Sequence, residues 1–258
     1  MAVYLDYNAS APVDPRVLDR MVEVYRMHYG NADSRTHIFG TGAKEIVAES
    51  RKTIADILKV DSTDIIFTSG STESNNMAIV GLLEYALETG RNHFITTAIE
   101  HKSVLEAMKY LQSRGCQVDF VYPDESGRVK ASQILERVSE KTLLVSMMHV
   151  NSETGIIQPV EEVGEALAGT KTYFHIDATQ GFGKLNDGVL FAYLFPGEFL
   201  LWSVCPVYSR YAVKLETLKM KLLLKVPLIN DKIKEAVREH MVQAFGGDRK
   251  STRLNSSH

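Results

Sequence analysis

Four short apolar runs, each ending in a cluster of chemically capable residues, constrain this chain more than any other feature. The runs are residues 64–68, 93–97, 142–146 and 172–176. They lead into Ser69-Gly70-Ser71-Thr72-Glu73-Ser74-Asn75-Asn76, Glu100-His101-Lys102, His149-Val150-Asn151-Ser152-Glu153-Thr154-Gly155 and His175-Ile176-Asp177-Ala178-Thr179-Gln180. Runs this short and this apolar read as strands of a parallel sheet buried on both faces. Open α/β sheets bind ligands just outside the carboxyl ends of their strands. One strand end here brings small hydroxyl residues, one an imidazole, one an amide and one a carboxylate, which together outline a cofactor site.

The rest of the first 187 residues supports that architecture. Asp14 is an N-cap candidate for a helix over 16–27, and Pro12 and Pro15 keep the chain before it extended. Residues 29–41 carry Gly30 and Gly40 among polar residues and read as a loop. Apolar spacing predicts an amphipathic helix over 43–58. Further helices are expected over 73–88, 102–113, 131–138 and 160–167, with another strand over 117–121. Alternating strands and helices predict an α/β fold around a mostly parallel sheet.

Composition excludes several classes. The chain has 258 residues, 45% apolar and 24% charged, as in ordinary globular proteins, and one large domain plus a smaller piece is expected. A formal charge of −3 gives no footprint for nucleic acid or a membrane surface. Cys116 and Cys205 do not form a disulfide framework, and no secretory leader is visible at the start, so a cytoplasmic setting is expected.

Each cluster has a functional and a structural reading. Ser71 and Thr72 stand where a helix N-terminus would hold a phosphate; they also suit a plain helix cap. Asp177 ends an apolar strand, and a buried carboxylate needs a cationic partner. The ring nitrogen of pyridoxal 5'-phosphate is one such partner, and a helix cap or internal ion pair is the structural alternative. Gln180 lies about one turn on, placed to donate to the ring's phenolic oxygen or to sit as a solvated amide. Asn151 reads as another contact of that oxygen or as an Asx-turn. His101 starts a helix and is suited to stack on a flat ring or move a proton. His149, Glu153 and His175 match no metal-ligand spacing, so no metal is expected.

Taken in order, these clusters resemble the class V aminotransferase family of pyridoxal-phosphate enzymes, and within it the cysteine desulfurases. The resemblance runs from Tyr4 to about Asp187. It includes Leu5-Asp6-Tyr7-Asn8-Ala9-Ser10-Ala11-Pro12-Val13-Asp14-Pro15 and Gly30-Asn31-Ala32-Asp33-Ser34-Arg35-Thr36-His37. It implies a three-layer fold of type I around a mostly parallel sheet, incomplete here. Residues 1–15 would begin a small domain, and 16–187 would form part of the large cofactor domain. Ser71 and Thr72 would hold the phosphate, and His101 would lie over the ring as the catalytic histidine. Asn151 and Gln180 would approach the phenolic oxygen, Asp177 would pair with the ring nitrogen, and the loop 31–37 would sit nearby. The implied reaction converts L-cysteine to L-alanine and leaves sulfur as a persulfide on an enzyme cysteine, for transfer to a sulfur-acceptor protein. A homodimer is implied, with no direct contact to nucleic acid. Ser34-Arg35-Thr36-His37 looks close to the desulfurases of DNA phosphorothioation, and those of iron–sulfur cluster assembly are nearly as similar. A selenocysteine lyase, an aminotransferase, and a non-catalytic protein that keeps the pocket are the alternatives.

The resemblance breaks off after residue 187. The family's Schiff-base lysine lies in a Ser-x-His-Lys segment one helix and one strand past the aspartate, about 26 residues on by usual connection lengths. That falls near Trp202-Ser203-Val204, yet no lysine occurs between Asn186 and Ala212, and Ser-x-His-Lys occurs nowhere. Neither cysteine matches the family's sulfur-accepting loop. Residues 189–207 approach the length of a membrane helix, but Pro196, Gly197 and Glu198 interrupt them. Residues 188–247 are therefore unassigned and read as out-of-frame sequence. Residues 248–258 read as translated sequencing-adapter sequence.

Overall fold

A computed structural model describes residues 3–5, 7, 11–34, 36–58, 60–182, 184 and 185, and the backbone of two strands at 200–204 and 221–224. The helices are α1 (Pro15–Met27), α2 (Ile38–Leu58), α3 (Ser71–Val80), α4 (Leu83–Thr89), α5 (Lys102–Ser113), α6 (Ala131–Leu135) and α7 (Val160–Leu167). The strands are β1 (Ile65–Thr68), β2 (His93–Thr97), β3 (Gln117–Val121), β4 (Thr142–Met148), β5 (Tyr173–Asp177), β6 (Leu200–Val204) and β7 (Lys221–Leu224).

Local signals set most boundaries. The Asp14 carboxylate accepts the Arg16 backbone N–H at 2.9 Å and caps α1 as expected. The expected helix over 73–88 is two helices, because α3 ends at Gly81, a residue that weakens a helix interior. The expected loop over 29–41 is shorter, because α2 already begins at Ile38. Gly40 lies inside that helix for a steric reason: a Cβ there would come within 2.7 Å of the Ser34 carbonyl oxygen.

The strands form one sheet in the order β1-β7-β6-β5-β4-β2-β3. Strands β3, β2, β4, β5 and β6 pair in parallel, and β7 runs antiparallel to both β6 and β1. Two of these strands lie in the stretch that the sequence left unassigned. β6 pairs with β5, setting Ser203 opposite Asp177. Among the described residues, no helix is long and apolar enough to cross a membrane. The remaining residues of 188–247, and the whole of 248–258, lie outside those described.

Side-chain alternation on the strands separates two cores. On one face α2, α6 and α7 pack through Ile54, Ile134 and Val163 against Ile95, Val145, Phe174 and Ile176. On the other α3, α4 and α5 pack through Ile79, Leu83 and Met108 against Phe94, Leu144 and Tyr173. This gives three layers with helices on both faces of a mostly parallel sheet, as the resemblance implies. Phe94 is fully buried, at 0% exposure. Phe94→Ala is expected to cost about 3–5 kcal/mol in urea denaturation through lost burial and a residual cavity. Leu18→Ala, at a helix position 51% exposed, is expected to change stability by less than about 0.5 kcal/mol.

Candidate functional site

The period of two along β5 sets Phe174 and Ile176 toward α2, α6 and α7, and Tyr173, His175 and Asp177 toward α3 and α5. Asp177, the last residue of β5, is only 5% exposed. Its Oδ2 accepts the Asn75 Nδ2 donor from α3 at 2.9 Å, and its Oδ1 accepts the Thr179 backbone N–H at 3.1 Å. Both oxygens act as acceptors. Among the described residues no cation pairs with Asp177.

The titratable groups beside Asp177 are held neutral. His175 is fully buried, and its Nδ1 lies 2.8 Å from Ser146 Oγ. Burial pushes its imidazole down to about 4, against the opposing pull of Asp177. Glu100 is buried at the end of the β2 segment and accepts from Thr97 Oγ1 at 2.5 Å and from the Met148 backbone N–H at 2.8 Å. Burial pushes its carboxyl up to about 8, and the negative charge of Asp177 adds to the shift. Among the described residues Asp177 is thus left without a counter-cation, in a place too dry to leave a charge unmatched cheaply.

The N-terminus of α3 opens at the same end of the sheet. Gly70 is the N-cap, and no side chain caps it. Ser71 and Thr72 are half-buried in the first turn, where backbone amides have no acceptor within the helix. That is the arrangement that binds a phosphate. Glu73 reaches back so that its Oε2 accepts the Ser69 N–H at 2.5 Å, which satisfies one amide and places a negative charge that a phosphate must meet.

His101 is the N-cap of α5, and its Nδ1 accepts the Ser103 backbone N–H at 3.1 Å. Ser103 Oγ is 2.7 Å from the same nitrogen and accepts from Asn75 Nδ2 at 2.9 Å. Asn75 thereby connects His101 and Asp177, two residues singled out in the sequence. Asn75, Ser103 and Glu100 were not singled out there. The i,i+4 spacing from Ser71 to Asn75 is shared by Thr72 and Asn76, so it did not single Asn75 out.

The remaining expected contacts carry structural duties. The Oδ1 of Asn151 accepts from Glu153 N, Thr154 N and Thr154 Oγ1, which is the Asx-turn alternative. Its Nδ2 donates to the Ile99 carbonyl oxygen at 3.1 Å and to Met148 Sδ at 3.3 Å. A ring oxygen approaching Asn151 would displace that sulfur, the weaker of the two acceptors. Gln180 Oε1 accepts from Lys184 Nζ at 2.6 Å. The turn bearing Gln180 packs tightly: a Cβ on Gly181 would lie 2.3 Å from His149 Nδ1. The His149 backbone N–H in turn donates to the Asp177 carbonyl at 2.9 Å.

Within the loop 31–37, Asn31 accepts the Asp33 N–H and lines a groove of about 360 Å³ between α1 and α2. Cys116 is buried in the core beside α5, and burial pushes its thiol up, away from the reactive thiolate. Cys205 lies outside the described residues. The strand β6, beside Asp177, contains no lysine.

A family model described as "Aminotransferase class-V" matches residues 3–188. A mitosomal cysteine desulfurase of Trachipleistophora hominis is 43% identical over 188 residues, 72% of this chain and 43% of that protein. The cysteine desulfurase IscS of Vibrio vulnificus is 42% identical over 187 residues, 72% of this chain and 46% of that protein. The chain thus spans less than half the length of these relatives. Among solved structures, DndA from Streptomyces lividans superposes with a TM-score of 0.71 at 42% identity, covering 86% of this chain and 59% of that one. A structure titled "SspA in complex with cysteine" gives 0.73 at 34% identity, covering 88% and 64%.

Stability should follow the two neutralised groups. The folded chain keeps a proton on Glu100 up to about pH 8, while an unfolded glutamic acid releases it near 4.5, so rising pH across that window favours unfolding. His175 acts in the opposite sense between about 4 and 6.5, where the unfolded chain binds the extra proton. The two slopes offset each other between about 4.5 and 6.5 and leave the Glu100 loss alone above that range. Glu100→Gln is expected to flatten the decline in stability between pH 6.5 and 8, measured by urea denaturation at a series of pH values. An unchanged slope would show that Glu100 is not protonated in the native state.

Proposed function

Because the chain belongs to the class V aminotransferase family, we propose that residues 16–187 carry the pyridoxal 5'-phosphate-binding half of a cysteine desulfurase. The supporting observation is Asp177, a buried carboxylate, fixed by Asn75 and lacking a counter-cation among the described residues. A ring nitrogen that is protonated completes such a site. In this reading the first turn of α3, with Ser71 and Thr72, receives the phosphate. His101 lies over the ring, and Gln180 and Asn151 stand near its phenolic oxygen. The bound cofactor supplies the electron sink of the family's chemistry.

The reaction proposed for the complete enzyme is the conversion of L-cysteine and an enzyme thiol to L-alanine and an enzyme persulfide. The carbon–sulfur bond of the substrate breaks as the sulfur–sulfur bond forms, and no external oxidant is needed. The desulfurase names of the relatives, and a solved neighbour titled as a complex with cysteine, favour this substrate over those of other family members. A homodimer, a sulfur-acceptor protein and a cytoplasmic site of action belong to the same proposal. The chain as it stands holds the cofactor without turnover. Its similarity to the family model ends at residue 188, and the segment where the family's lysine is expected, Trp202-Ser203-Val204, has none.

Equilibrium titration of the full chain with pyridoxal 5'-phosphate tests the binding half of this reading. Asp177→Asn keeps the shape and removes the charge, and is expected to weaken binding about tenfold or more, the worth of one charge-assisted contact. Equal affinity in the two proteins would remove the ring-nitrogen role of Asp177. The catalytic half is tested by borohydride treatment of the cofactor-loaded chain, followed by intact mass and an alanine-release assay with L-cysteine. No covalent adduct and no alanine are expected. A stoichiometric adduct together with alanine would mean that a lysine of this chain does serve the site.

A further inference from the structure

We propose that Asn75 and Ser103 are positioning residues that hold His101 in its Nε2–H tautomer and tie its orientation to that of Asp177. The proposal rests on reading Asp177 and His101 as cofactor contacts, but the geometry behind it needs no bound group.

Three elements meet in the network. Asn75 comes from α3, His101 and Ser103 from the start of α5, and Asp177 from the end of β5. Asn75 is fully buried, and its Nδ2 sends one N–H to Asp177 Oδ2 and the other to Ser103 Oγ, each at 2.9 Å. The amide cannot be turned over, since that would set Oδ1 against the carboxylate of Asp177. Oδ1 itself is buried with no hydrogen-bond partner. An unsatisfied buried acceptor is destabilising, so this side chain is kept in place for its two donors.

The direction of each remaining bond follows. Ser103 Oγ accepts from Asn75, so its own proton is free to point at His101 Nδ1, 2.7 Å away. The Ser103 backbone N–H also points at that nitrogen, at 3.1 Å, and a backbone N–H only donates. Nδ1 therefore offers a lone pair, and the ring proton resides on Nε2. Nε2 has no hydrogen-bond partner among the described residues, and His101 is exposed. The imidazole thus meets an incoming group as a proton donor. Protonation at Nδ1 would force both Ser103 donors away, and the disturbance would pass through Asn75 to Asp177.

The test is long-range proton–nitrogen NMR on the full chain labelled with ¹⁵N-histidine, without cofactor. His101→Gln identifies the His101 signals among the eight histidines. The expected pattern is a pyridine-type Nδ1 and a pyrrole-type Nε2. Ser103→Ala keeps the backbone N–H and should move both nitrogens only part of the way toward tautomer-averaged positions, Ser103→Thr should restore them, and Asn75→Leu should give a smaller shift because the hydroxyl loses its fixed direction. A pyrrole-type Nδ1 in the parent chain would overturn the proposal, as would Ser103→Ala signals that match the parent. An Asn75→Leu spectrum identical to the parent's would remove Asn75 from the network. If one variant does not fold, the parent tautomer together with the other variant decides. A parallel titration of the parent chain with pyridoxal 5'-phosphate separates the two readings. Absent binding with the expected tautomer discards the cofactor assignment, whereas binding with the wrong tautomer discards the network.

Discussion

The buried carboxylate of Asp177 is the constraint to which the rest of this site answers. A carboxylate at the end of a central strand, 5% exposed, is expensive unless its oxygens are satisfied. The chain satisfies them with an amide side chain from α3 and a backbone N–H from the following turn, both neutral donors. Neutral donors orient the charge without cancelling it. Beside it, burial suppresses ionisation at both His175 and Glu100. The result is a directed negative charge that meets no cation among the described residues.

Several elements are positioned through that carboxylate and its neighbours. Asn75 binds α3 to β5, and Ser103 brings the start of α5 to the same amide. Glu100 joins the ends of β2 and β4 by accepting the Met148 N–H, and the His149 N–H joins β4 to the carbonyl of Asp177. The start of α3, the imidazole of His101 and the carboxylate of Asp177 are thus cross-braced through Asn75 and Ser103. Buried polar networks of this kind define geometry well because partial satisfaction is so unfavourable.

The part of the chain that resembles the family ends where the sheet still continues. Sequence similarity stops near residue 188, whereas β6 and β7 extend the sheet beyond it. β6 lies where the family's lysine-bearing segment would be sought, in register with β5, and it lacks the lysine. A strand in a sheet needs only backbone pairing and a suitable pattern. Covalent attachment of a cofactor needs one particular amine, and sheet pairing does not provide it.

The order of strands and most of the helices up to residue 185, the parallel character of the sheet and the placing of four polar clusters at strand ends were legible in the sequence. Short apolar runs must be buried on both faces, and that leaves few arrangements. Asp14 capped its helix as expected for the same kind of local reason, a short acceptor facing free amides. What local pattern did not determine was the use of each polar side chain. Asn151 turned inward to its own loop because three donors lie within three residues of it. Asn75 could not be distinguished from its neighbour Asn76, since the choice between them depends on which helix face meets β5. Asn76 turns back to the Thr72 carbonyl, while Asn75 reaches a carboxylate 102 residues away. The sequence alone determined which groups stand at the strand ends, because periodicity and burial act locally. Only the tertiary structure decided which of them bond to one another, because hydrogen-bond partners are set by the packing of elements distant in the chain.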